Sequence, residues 1–100
     1  MALPSPKGHG IPLSEAATQT KRSRDSSHKG GMFLRKELDD LLAQPGCSGV
    51  RFYYGLDANG QDSLILVGVD KDGNDMVNGV LIDGHFPCPP LCGDGNALNS

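Results

Sequence analysis

Three cysteines and a histidine carry the strongest chemical potential in this 100-residue chain. Cys88 and Cys92 stand four apart around Pro89-Pro90, His85 precedes them, and Cys47 lies far upstream. The prolines hold Cys88 and Pro89 near an extended conformation, so the two sulfurs meet only if the chain turns at Pro90-Leu91. With His85 and Cys47 added, the set completes a Cys₃His tetrahedron suited to Zn²⁺. The same pair can close a disulfide around a loop too small to constrain the unfolded chain much. It can also pack as two small apolar side chains in a proline-rigid C-terminal strap. The spacing is not Cys-x₂-Cys and no second pair accompanies it, so the packing reading is favoured, with no cofactor. A small zinc-binding or thiol-redox protein is the alternative.

Two other patterns invite chemistry. Asp70, Asp72 and Asn74 fall at positions 1, 3 and 5 of an EF-hand-like loop, but Asp75 occupies the glycine position and Leu81 the bidentate glutamate position. Turn chemistry accounts for these residues instead. The chain is also divided in charge. Residues 1–36 hold seven basic side chains against two carboxylates, a net of +5, while residues 37–100 hold two against ten, a net of −8. Lys21, Arg22, Arg24, Lys29, Arg35 and Lys36 could contact phosphate, and Tyr53 or Tyr54 could offer a stacking ring. The acidic body would repel a nucleic-acid backbone, so nucleic acid is not the expected partner. Gly-x-Ser-x-Gly, Walker, Gly-x-Gly-x-x-Gly and His-Glu-x-x-His signatures are missing, and the chain is read as a non-enzyme.

The elements that must position these residues follow from periodicity. Residues 1–12, rich in proline and glycine, read as a disordered tail. Residues 13–31 read as a short basic helix, capped by Ser14 and running to about Asp25, followed by a loop over residues 26–31. Residues 32–100 form the α+β domain. Its main helix runs from Met32 to Ala43 with Leu34, Leu38, Leu41 and Leu42 on one face, and Pro45-Gly46 stops it. From Val50 the period becomes two: Val50, Phe52, Tyr54 and Leu56 point one way, Arg51, Tyr53 and Gly55 the other. Ser63 to Val69 is apolar on both faces, the mark of a central strand, and Gly79 to Ile82 is a weaker third candidate. Asp57–Asp62 recurs thirteen residues later as Asp70–Asp75, and each copy carries the Asn-Gly or Asp-Gly pair of a tight turn. The expected fold is therefore α+β: a three-stranded antiparallel β-meander, one main amphipathic helix, a short N-terminal helix and a proline-rich C-terminal strap.

The runs LLAQPGCSGVRFYYGLD, VGVDKDGNDM and PCPPLCG resemble a group of small, uncharacterised bacterial proteins that share a helix, an Arg-Tyr strand and a Cys-Pro-Pro-x-Cys end. The similarity covers about residues 11–100. It implies a bacterial, cytoplasmic chain and transfers no functional residue. Cytoplasm is also what an odd cysteine count, the absence of a bilayer-length apolar run and the lack of an apolar leader suggest. No membrane partner is expected. On one sheet face Ile65, Val67 and Val69 need burial that the Ala-rich first helix has little bulk to provide. They are the expected interface of a protein-interaction or self-assembly module, whose partner is a second copy of the chain or another protein.

Overall fold

The computed structural model describes residues 3, 8, 10–23, 30–83, 86–88 and 91–99. Within them the order is α1 (Leu13–Arg22), β1 (Gly30–Met32), α2 (Arg35–Leu42), β2 (Gly49–Leu56), β3 (Asp62–Val69), β4 (Leu81–Ile82) and β5 (Phe86–Cys88). The fold is α+β, and β2-β3-β4 is the expected three-stranded antiparallel sheet with β3 in the middle. The chain divides into two compact units: residues 33–85 with the first five residues, and residues 6–32 with residues 86–100.

The first unit is built around α2 and the sheet. Leu41, Leu66 and Ile82 are buried together, with Phe33, Leu38, Cys47 and Val80 packed against them. α2 is shorter than the expected span because Met32 belongs to β1 and Leu34 is an extended N-cap, with ψ of 146°. Its solvent face carries the pairs Arg35–Asp39 at 3.4 Å and Lys36–Asp40 at 3.0 Å, spaced i,i+4. The chain leaves the helix through Gly46, whose φ of 84° suits glycine.

Both aspartate turns form as their composition demands. In each, the leading aspartate's Oδ1 accepts from two backbone N–H groups: those of Asn59 and Gln61 for Asp57, those of Asp72 and Asn74 for Asp70. Gly60 and Gly73 close the turns at φ of 78° and 83°. The first turn joins β2 to β3 directly. The second does not lead straight into a strand. It leads to a single bridge between Val69 and Asp75, a further turn closed by Gly79 N–H to Met76 C=O at 3.1 Å, and only then β4.

Gln44 accounts for that detour. From the end of α2 its Nε2 donates to Leu41 C=O at 2.8 Å and its Oε1 accepts from Val80 N–H at 2.8 Å. The side chain takes the place of strand pairing there. A Cβ at Gly79 would run into Gln44 Oε1, and one at Gly68 would press on Gln44, Cys47 and Met76.

The second unit contains α1 and a two-stranded antiparallel ladder in which Gly30, Gly31 and Met32 pair with Cys88, Pro87 and Phe86. Three corrections arise here. Gly30 and Gly31, expected in a loop, are strand residues, and part of the expected strap is β5. Ser14 does not cap α1: the N-cap is Pro12, whose C=O accepts from Glu15 and Ala16 N–H at 3.1 Å each. Most of the expected tail over residues 1–12, and residues 24–29, lie outside the described residues.

Candidate functional site

The register of β2 on β3 settles which residues share a face. Arg51 stands opposite Val67, Tyr53 opposite Ile65 and Gly49 opposite Val69, so these side chains occupy one face of the sheet. Asp75, bridged to Val69 from the other side of β3, belongs to the same face. Arg51 reaches across β3 to Asp75 Oδ1 and also donates to Gly73 C=O, at 3.2 Å from each terminal nitrogen. Tyr53 OH donates to Asp75 Oδ2. Both carboxylate oxygens are thereby occupied, and the Asp75 side chain is only 20% exposed.

This strap of polar groups buries the strip expected to be an interface. Val67 is 2% and Val69 4% exposed, and Ile65 is half-buried. The apolar residues foreseen as needing a partner are covered within their own chain: the Arg51 and Tyr53 hydrogen bonds to Asp75 span this face, and Leu3 lines a depression with Gly49, Arg51 and Val69. The electrostatics agree with a closed network. The Tyr53 hydrogen bond, followed by Arg51, holds the Asp75 carboxyl below its ordinary value, and partial burial works against them. Asp75 in turn raises the Tyr53 phenol and the Arg51 guanidinium.

The opposite face of β2 has the reverse character. Val50, Phe52, Tyr54 and Leu56 are 42, 53, 84 and 72% exposed. The Phe52 and Tyr54 rings meet edge to face, 5.5 Å between centroids. The eight residues of α2 cover Leu66 and Ile82 on the neighbouring strands and do not reach this row; Leu3 lines a depression of about 250 Å³ with Val50 and Phe52 at its start, and Tyr54 and Leu56 remain the most exposed. The row also lies on the sheet's margin, since the strand order ends at β2. Asp57 N–H donates to Gln61 C=O, making 57 and 61 a hydrogen-bonded pair. By antiparallel alternation Arg51, Tyr53 and Gly55 then turn their backbone groups toward β3, and Val50, Phe52, Tyr54 and Leu56 turn theirs outward. Four residues thus present apolar side chains and an open row of backbone donors and acceptors together.

The cysteines do not assemble as a zinc site. Cys88 and Cys92 are joined in a disulfide, so neither offers the thiolate that zinc requires. This also corrects the favoured reading of two reduced, packed thiols; Cys92 is exposed. Cys47 is the free cysteine, packed against the core with its Sγ donating to Gly49 C=O at 3.3 Å. His85 lies outside the described residues. Among the described residues no group of three or more His, Cys, Asp or Glu side chains is placed to hold a metal.

Of the basic residues considered for phosphate contact, Arg35 and Lys36 are engaged by Asp39 and Asp40, and Arg24 and Lys29 lie outside the described residues. A depression of about 240 Å³ is lined by Glu37, Asp40 and Asp83 together with Val80, Leu81 and Ile82, and Asp40 is engaged by Lys36. No helix among the described residues is long and apolar enough to cross a membrane.

Sequence reasoning missed the Arg51–Asp75–Tyr53 network, Gln44 and the outward direction of the apolar row. The signal for the row was present, since an alternating apolar set next to a helix of two turns exceeds what that helix can cover. No protein-family model matches the chain, and comparison with curated proteins and with solved structures returns no similar protein.

Proposed function

We propose that this chain is a non-enzymatic protein-interaction module whose docking surface is the outer margin of β2. The observation that carries the reading is the exposure of Val50, Phe52, Tyr54 and Leu56 along one edge strand. Soluble proteins protect long edge strands with lysines, prolines, bulges or a covering element, and rarely leave a contiguous apolar patch without use. β2 has no proline and no lysine, and its single charge, Arg51, is spent on the other face. A strand in that state is a template for strand addition, with backbone hydrogen bonds supplying affinity and alternate side chains supplying specificity. The test is a photo-crosslinking amino acid in place of Phe52 in living cells. A discrete adduct, absent when the same group replaces exposed Asp83, supports the module; no adduct at position 52 overturns it.

A second reading rests on the Cys88–Cys92 disulfide with its exposed Cys92. A dithiol protein could reduce it, its thiolate attacking Cys92 Sγ, with two electrons and two protons ending on Cys88 and Cys92 and a new disulfide on the donor. Redox-active pairs lie between about −120 and −270 mV, whereas a structural bond lies below about −300 mV. Equilibration with glutathione separates the two. The cytoplasmic expectation applies to the reduced form, because cytosolic thiols keep such bonds open.

A further inference from the structure

Resting on the interaction reading above, we propose that the partner is a second copy of this chain, its β2 added antiparallel to the first β2 about a two-fold axis at Tyr53. A two-fold interface must be self-complementary, with each residue's partner presenting the reciprocal contact. β2 meets that condition. Because Val50, Phe52, Tyr54 and Leu56 carry the outward backbone groups, the hydrogen-bonded pairs of a new ladder must join members of this set. Centring on Tyr53 places Val50 opposite Leu56 of the second copy and Phe52 opposite its Tyr54. Every outward residue then has an apolar partner, aliphatic on aliphatic and aromatic on aromatic.

The other face fits the same register. Arg51 falls opposite Gly55 of the second copy, which has no side chain to obstruct it, and the two Tyr53 residues meet at the axis with their hydroxyls directed away from it, to Asp75 of their own chains. Each Tyr53 is 47% exposed, leaving area to bury, and each Arg51 is already paired with Asp75, so no free like charges meet. Sliding the register by two residues in one direction puts Leu56 opposite Ser48; in the other it puts Val50 opposite Ala58 of the aspartate turn. In the first, Leu56 loses its apolar partner; in the second, Val50 meets only the Ala58 methyl beyond the strand end, so the Tyr53 register alone pairs all four outward residues within the strand. The product is one continuous sheet of six strands, three from each copy, with β2 central in both and its open edge closed.

The proposal is tested on the full chain by sedimentation equilibrium between about 1 and 200 μM, a range that spans micromolar association. The expected mass rises to twice the 10.5 kDa of one chain. It should do so in about 1 M salt as well, where exposed charge attraction is screened. Val50→Lys and Leu56→Glu each alter two symmetry-related pairs, so each should weaken association about tenfold. Combining them in one chain sets opposite charges across the axis twice and should bring affinity back to within about threefold of the parent. Both positions are exposed, and circular dichroism melts that match the parent at about 1 μM, below the association range, confirm that the variants fold. A single-chain mass at about 200 μM, or a double variant no stronger than the single ones, overturns the pairing. A monomer that still yields a hetero-adduct with the crosslinker at position 52 overturns the pairing and keeps the interaction module. A monomer with no adduct overturns both.

Discussion

Arg51 and Asp75, twenty-four residues apart, form an ion pair that crosses over β3 and joins the edge strand to the second aspartate turn. The pair seals one face of the sheet over Val67 and Val69. The same strand therefore has a closed polar face and an open apolar one, and that division underlies the functional reading.

The network makes stability depend on pH in a defined direction. Asp75 is held below its ordinary value, so its contribution is present above about pH 4 and is lost as pH falls through the lowered value. Tyr53 is held above its ordinary value, so its contribution is present below about pH 10 and is lost as pH rises through the raised value. Urea unfolding midpoints of the parent and of Asp75→Asn should differ at pH 7 and converge toward pH 2. A difference of the same size at both would show that Asp75 acts through shape rather than charge.

The aspartate turns yield a test with an internal control. Gly60→Val and Gly73→Val should each cost about 1–2 kcal/mol, because a branched side chain is forced into the left-handed region. Gly49→Ala, where the backbone is not left-handed and no atom lies within 4 Å of the new Cβ, should stay within about 0.5 kcal/mol of the parent. Denaturant unfolding reads all three.

Leu41 is the most buried side chain of the first unit, with no exposed area. Leu41→Ala should destabilise by about 2–5 kcal/mol, the range for cavity formation in a core. A cost below about 1 kcal/mol would mean that α2 does not pack on Leu66 and Ile82 as described.

Opening the disulfide should have a small and local effect. Cys88 and Cys92 enclose a loop of few residues, worth roughly 2 kcal/mol at most by chain entropy. Cys88→Ala with Cys92→Ala should leave a folded chain whose β2 and β3 amides keep their protection. Loss of protection throughout β3 would assign the bond a global role.

How much could be read without coordinates follows the range of each interaction. The turns were legible because Asp57, Asp70, Gly60 and Gly73 act within five residues of themselves. β3 was legible as the centre of the sheet because both of its faces are apolar. The face of β2 that stays open was not, since that depends on how far α2 reaches, and the helix begins only at Arg35 because Met32 belongs to β1 and Leu34 is extended. Arg51–Asp75 required the register of three chain segments. For Cys88 and Cys92 one spacing satisfied metal, disulfide and packing alike, and β1 was hidden because Gly30-Gly31 reads as a loop.

Amide hydrogen exchange along β2 tests the central claim most directly, because the strand carries its own reference. Arg51, Tyr53 and Gly55 turn their N–H groups toward β3 and should be protected at every protein concentration. Val50, Phe52, Tyr54 and Leu56 turn theirs to the open edge. These four should exchange rapidly at about 1 μM and become protected together by about 200 μM, as a second β2 closes over them. Rapid exchange of all four at both concentrations would contradict the claim.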